Sequence, residues 1–146
     1  PNLPPWKRKM FEGTRFNWEN YGRYKYREVS VTVDGKTYRL DSYVPGKEVV
    51  SRKYTQFADI QESTGVSYLR EMTNKYNPNV EPRITSAVPS QTGVPDIAGL
   101  KGEQLDGVMI LEVPVQKGPV PEAILKAARD ADPPIMIRDI RGKVYR

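Results

Sequence analysis

The chain has 146 residues, the length of one domain with a real core and too short for two independent ones. Lys and Arg number 23 against 18 Asp and Glu, a net charge of +5, which steers toward an anionic partner such as nucleic acid, an acidic protein or a membrane surface. Cysteine and histidine are both absent. Disulfides, structural zinc, thiol nucleophiles and all histidine chemistry are thereby excluded, and catalysis falls to carboxylates, lysine, hydroxyls and a hard, oxygen-seeking metal.

Residues 1–9, PNLPPWKRK, are Pro-rich and basic and read as a linker, with a single domain expected over 10–146. Phe11, Phe16, Trp18 and Tyr21 recur at roughly helical intervals between Gly13 and Gly22, which predicts a short or broken helix over 10–24. REVSVTV alternates, and Asp34-Gly35 is a two-residue hairpin signal leading into KTYRLDSYV and, past Pro45-Gly46, into EVVSRKYT. The expectation is a three-stranded antiparallel meander. Ile60, Val66, Leu69 and Met72 predict a helix over about 59–76, stopped at Asn77-Pro78. Residues 77–106, rich in Pro, Gly, Ser and Asn, read as a long loop. VMILEVPV reads as a buried central strand, PEAILKAARDA as a short amphipathic helix, and IMIRDIRGKVYR as a closing strand with a turn at Gly142. This order describes an α/β (α+β) fold, a mixed central sheet with helices on its faces. No apolar run long enough to span a bilayer occurs, nor a signal-peptide pattern, so no membrane anchor is expected. The chain begins without Met, which reads as a fragment of something longer.

The candidate site follows from strand register. The Asp34-Gly35 turn pairs Val33 with Lys36 and, counted back, sets Glu28 opposite Asp41 on the face away from Val29, Val31, Tyr38 and Leu40. A three-residue loop, Pro45-Gly46-Lys47, then sets Asp41 opposite Ser51, with Lys53 two residues on along the same face; a two-residue loop would set Asp41 opposite Val50. An acid on one strand beside a lysine on the next suits a divalent metal held against a phosphodiester, with the lysine orienting water or stabilising developing charge. Glu28 is the adjacent second carboxylate, or else an ion-pair partner of Arg27, Arg39 or Lys53. Glu112 lies within a buried strand, where it must pair with a base or line the site. Trp18, Tyr21, Tyr24 and Tyr26, interleaved with Arg23, Lys25 and Arg27, fit single-stranded or looped nucleic acid, and fit a core-facing helix and strand equally. Arg23, Lys25, Arg39 and Arg52 are the candidate phosphate contacts.

The segment LDSYVPGKEVVSRK resembles the PD-(D/E)xK restriction-endonuclease superfamily, in which an acid on one strand faces (E/D)-x-K on its hairpin partner. Asp41 matches the acid and Lys53 the lysine, while Ser51 stands where the pattern has Glu or Asp. The resemblance implies a restriction-endonuclease-like fold and a glutamate from the following helix that replaces the missing carboxylate, Glu71 in SYLREMTNKY first and Glu62 second. It further implies Mg²⁺ (or Mn²⁺) held by Asp41, Glu71 and Glu28, with Gln56 a polar residue near the phosphate. Across about residues 13–146 the chain resembles C-terminal toxin domains of bacterial polymorphic systems, of the contact-dependent inhibition or type VI effector type. That likeness implies a nuclease of DNA, more than RNA such as tRNA, carried at the end of a larger delivery protein. The effector would be secreted into a target-cell cytoplasm and neutralised by a cognate acidic immunity protein. The alternative is a non-catalytic nucleic-acid-binding or phage-derived structural module of the same fold.

Overall fold

The computed structural model describes residues 3–80, 82–95 and 99–146. Helix α1 (Pro5–Asn20) leads through a 3-10 turn into the strands β1 (Tyr26–Val33), β2 (Lys36–Val44) and β3 (Lys47–Arg52). Then follow α2 (Glu62–Tyr76), β4 (Arg83–Pro89), β5 (Gly107–Val113), α3 (Glu122–Asp130), β6 (Ile135–Asp139) and β7 (Val144–Tyr145). The strands form one mixed sheet in the order β4-β1-β2-β3-β5-β6-β7. β3, β5 and β6 run parallel; every other pairing is antiparallel. Among the described residues no helix is long and apolar enough to cross a membrane.

The meander forms in the expected register. Asp34 and Gly35, both at positive φ, close the first hairpin and pair Val33 with Lys36. In the second, Ser42, Tyr43 and Val44 pair with Val50, Val49 and Glu48, the register of the three-residue loop. β5 is the central strand its composition predicts, with Met109 through Val113 buried, because helices cover one face and packed side chains the other.

Two elements depart from the sequence reading. Residues 5–9, expected as linker, are the first turns of α1, which starts at Pro5, where the missing N–H costs a helix nothing; residues 1 and 2 of that stretch lie outside the described residues. Within 77–106, expected to be loop, residues 83–89 form β4 and pair with β1; residues 81 and 96–98 lie outside the described residues.

The main core lies between the sheet and α2 with α3, where Leu69, Met72 and Tyr76 meet Leu40, Leu111 and Ile124. Each fully buried side chain of this size contributes roughly 1.5–3 kcal/mol. On the opposite face a smaller cluster of Tyr24, Val50 and Ile110 packs, and there α1 lies against the sheet through Asn17 and Asn20.

One irregularity positions everything that follows. Tyr26 and Val29 are both in the main core, three residues apart, as are Leu40 and Tyr43; regular strands would alternate. The break falls between them, where Glu28 has φ 49° and the pairing of β1 with β4 shifts register. Asp41 is the residue of β2 at which the alternation reverses.

Candidate active site

β2 and β3 part company at Asp41. Their ladder ends at the Ser42 and Val50 pair, and β3 continues paired only with β5, whose Glu112 carbonyl accepts the Lys53 N–H at 3.1 Å. The preceding N–H, that of Arg52, therefore points toward β2, and the Asp41 carboxylate accepts it at 2.7 Å (Oδ2). On the other strand the Arg39 carbonyl is left without a ladder partner, and the Tyr76 hydroxyl of α2 donates to it at 2.7 Å. The gap between the strands thus has its backbone groups satisfied by side chains, as buried polar groups require.

The opening is a cleft of about 460 Å³ between α1 and α2. α1 gives it Lys9 and Asn17, β2 gives Arg39 and Asp41, β3 and its extension give Ser51, Lys53 and Tyr54, and α2 gives Glu71, Lys75 and Tyr76. Of the predicted site residues, Asp41, Ser51, Lys53, Glu71, Arg39 and Arg52 line it together. Asp41 Oδ1 accepts from the Asn17 amide at 2.8 Å, so both carboxylate oxygens are oriented. Lys53 Nζ stands 3.4 Å from Glu71 Oε1, and Lys75 Nζ lies at the same distance from that oxygen. Burial, then the Asp41 and Glu71 charges, push the Tyr76 hydroxyl well above the usual tyrosine range. It therefore stays protonated and remains a donor.

Other expected residues stand elsewhere. Gln56 does not line the cleft: its amide donates to the Val115 carbonyl and its oxygen accepts the Lys117 N–H, so it pins the loop after β5. Glu28, displaced by its left-handed backbone, lies outside the cleft lining and faces Arg39 at 3.9 Å, the ion-pair alternative. Glu62 opens α2 at its first turn, a position that suits an acid at the positive end of a helix.

Arg52, expected among the phosphate contacts, is 5% exposed and directed inward. Its guanidinium donates to Glu112 (2.7 Å), Ser42 (2.7 Å) and Asn17 (3.1 Å). Glu112, fully buried, also accepts from Arg23 at 2.7 Å and from the Tyr24 hydroxyl. That answers how a carboxylate survives in a central strand: it is paired and hydrogen-bonded on both oxygens. Arg23 is accordingly half committed to the interior, while Lys25 and Arg39 are exposed. The aromatic run divides as well, Tyr24 and Tyr26 entering the two cores and Trp18 remaining 69% exposed.

Sequence reasoning missed Asn17, Lys9, Lys75 and Tyr76. Asn17 carried a faint signal, three residues before Asn20 and beside Phe16 on the helix face that turns inward. Lys75 was legible as the residue four places after Glu71.

No protein-family model, no curated protein and no solved structure matches the chain. The site therefore stands on its own geometry: a carboxylate fixed at a strand divergence, a lysine and a glutamate paired with each other in the same cleft, and exposed cations at the mouth.

Proposed function

We propose that this domain is a metal-dependent nuclease of the restriction-endonuclease-like kind, hydrolysing phosphodiester bonds in DNA or RNA. In that reading it is the toxic end of a delivered bacterial effector, held in check by an acidic immunity protein. The observation that carries it is the parting of β2 and β3, around which Asp41, Ser51, Lys53 and Glu71 share one cleft with Lys9, Arg39 and Lys75.

Among the described residues no three His, Cys, Asp or Glu side chains stand close enough together to form a metal cage. Asp41 and Glu71 line the same cleft and would hold, in this reading, a cation that keeps several waters and completes its shell from substrate phosphate, the habit of Mg²⁺ and a chemistry open to Mn²⁺. Bound there, the ion would neutralise phosphate charge and make water a better nucleophile.

The chain's own residues supply the rest. The Arg52 N–H and Asn17 amide hold the Asp41 carboxylate in one orientation before substrate arrives, so no reorganisation is needed during reaction. Lys53 and Lys75, gathered on Glu71, are cations able to turn to phosphate oxygens. Ser51, buried at the cleft wall, offers a hydroxyl where a third carboxylate would otherwise add negative charge. The engagement of Glu71 by two lysines favours one rival, a module that binds nucleic acid without cutting it.

Incubation with plasmid DNA and total tRNA, with Mg²⁺ or Mn²⁺ and with chelator, separates the two. Cleavage that needs metal and is lost in Lys53→Ala supports the nuclease; retardation without cleavage under all conditions supports the binding module.

A further inference from the structure

Tyr54 follows Lys53 directly and is 52% exposed, although the three residues from Val50 to Arg52 are all buried. Its ring rests against Phe16 of α1, centroids 5.4 Å apart and tilted by 54°, and Phe16 is itself 6% exposed. The phenol ring is thus braced by Phe16 and about half open to solvent. It belongs to two adjoining depressions at once, the cleft described above and a groove along α1 formed with Arg15, Phe16 and Glu19. An exposed aromatic at the common wall of two depressions is a costly arrangement for packing alone, since burying the ring would contribute hydrophobic stabilisation.

We propose that Tyr54 is a base-stacking shelf, and that the ligand of the cleft is nucleic acid whose bases are unpaired at the site, whether single-stranded or looped. As a statement about substrate the proposal rests on the nuclease reading. Tyr54 and Lys53 both line the cleft, so a base on the ring and a phosphate near the Lys53 cation can belong to one nucleotide. Only a base out of its stack can satisfy both contacts; in a duplex its faces are covered by neighbours and its edge by the paired base. The cleft has the same limit, because about 460 Å³ between two helices is the scale of a pocket for a small ligand. Further rings in and around it already carry cations, Lys75 over Tyr38 at 4.9 Å and Lys53 over Tyr68 at 5.2 Å. Cations that track phosphates beside rings that receive bases are how unpaired strands are bound without sequence preference.

The test is fluorescence anisotropy of the whole domain, in chelator so that nothing is cut. The probes are a labelled mixed-sequence oligonucleotide of about 15 nucleotides, as DNA and as RNA, alone and annealed to its complement. The expected result is tighter binding of the unpaired form for at least one sugar. Tyr54→Phe should bind as wild type, whereas Tyr54→Leu, which keeps an apolar contact to Phe16 but offers no flat face, should lose roughly 5- to 150-fold, the equivalent of the stacking of one base. A duplex bound as well as or better than the single strand for both sugars overturns the shelf, as does a folded Tyr54→Leu that binds like wild type. The same oligonucleotides with Mg²⁺ separate this proposal from the one beneath it. Unpaired binding without cleavage leaves the shelf standing and removes the nuclease; cleavage that prefers duplex does the reverse.

Discussion

Arg52 and Glu112 illustrate how a single residue can serve the site without touching a ligand. The Arg52 backbone orients one oxygen of Asp41, and its guanidinium holds the Asn17 oxygen while the Asn17 amide orients the other. Glu112 fixes that guanidinium from β5, and the two side chains are 1% and 0% exposed. Removing one member of such a buried pair leaves an uncompensated charge, so Glu112→Ala should lower unfolding free energy by about 3–5 kcal/mol in urea denaturation. A loss within about 1 kcal/mol would contradict the role given to the pair. Replacing Arg52 and Glu112 together by Met and Leu should be milder for stability, since neither charge is then stranded, yet should still impair the site through Asp41. A second buried carboxylate makes a pH prediction. Burial pushes Asp139 up, but the Tyr145 hydroxyl and the Arg141 and Lys143 amides donate to it and prevail, leaving it below the ordinary aspartate range. A depressed folded-state value means stability that is full above the unfolded aspartate value of about 3.9 and lost as pH falls through the folded one. The gap in stability between wild type and Asp139→Asn should therefore be constant from neutral pH down to about 5 and close progressively below about 4. A gap that stays unchanged into strong acid would show that these hydrogen bonds do not favour the ionised form.

Among the elements, the parallel pair β3 and β5 is the most exacting. Gly107 begins β5 at φ 142°, and a Cβ there would lie 2.6 Å from the Lys47 carbonyl carbon and 2.7 Å from the Glu48 nitrogen. Both are backbone atoms that cannot turn aside. Gly107→Ala should cost about 1–3 kcal/mol through overpacking and backbone strain, read as a shift in the denaturation midpoint; an unchanged midpoint would mean that the two strands approach less closely. The meander was legible because Asp34-Gly35 fixes the first turn and Pro45-Gly46 marks the second, where counting left two registers open and the structure takes the one that sets Asp41 on the Ser51 side. β4 was not legible, because only Ile84 of its seven residues is buried, and an edge strand with one inward side chain has no alternation to detect. The helical start at Pro5 was hidden for a related reason. Proline and lysine suggest a linker, but Pro at the first turn of a helix is equally at home. The inward turn of the Arg52 guanidinium was not legible, because charge in a sequence says nothing of direction: its partner Glu112 lies 60 residues away. The register around Glu28 was right, yet Glu28 itself does not pair with Asp41 and lies outside the cleft, since no residue pattern announces that a glutamate will take a left-handed backbone.

For the molecule as a whole, the balance of charge matters more than its size. The net charge is +5, yet Arg23 and Arg52 are drawn toward Glu112, and the exposed cations near the cleft are Lys9 and Arg39, with Lys53 and Lys75 partly exposed within it. An acidic immunity protein that covers this mouth should bind more weakly as salt rises, because exposed charges act through a screened field. Titration from 50 to 500 mM NaCl by calorimetry reads this directly; affinity indifferent to salt would move such a partner away from the cleft. In the proposed reading, Asp41 and Lys53 act together on a phosphodiester at the point where β2 and β3 separate. Asp41→Asn tests it more cleanly than removal of the side chain, because an amide oxygen can still accept the Arg52 N–H, although its NH2 then faces the Asn17 amide donor and that one hydrogen bond is lost. The decisive measurement is the rate of metal-dependent phosphodiester cleavage by folded Asp41→Asn and Lys53→Ala beside wild type, on whichever of DNA or RNA the wild type cuts. The expected result is a melting temperature within a few degrees of wild type for both variants and cleavage reduced by at least about 100-fold, the scale of a lost electrostatic or acid–base contribution. Cleavage by either folded variant at the wild-type rate, or no metal-dependent cleavage by wild type on any nucleic acid, would contradict it.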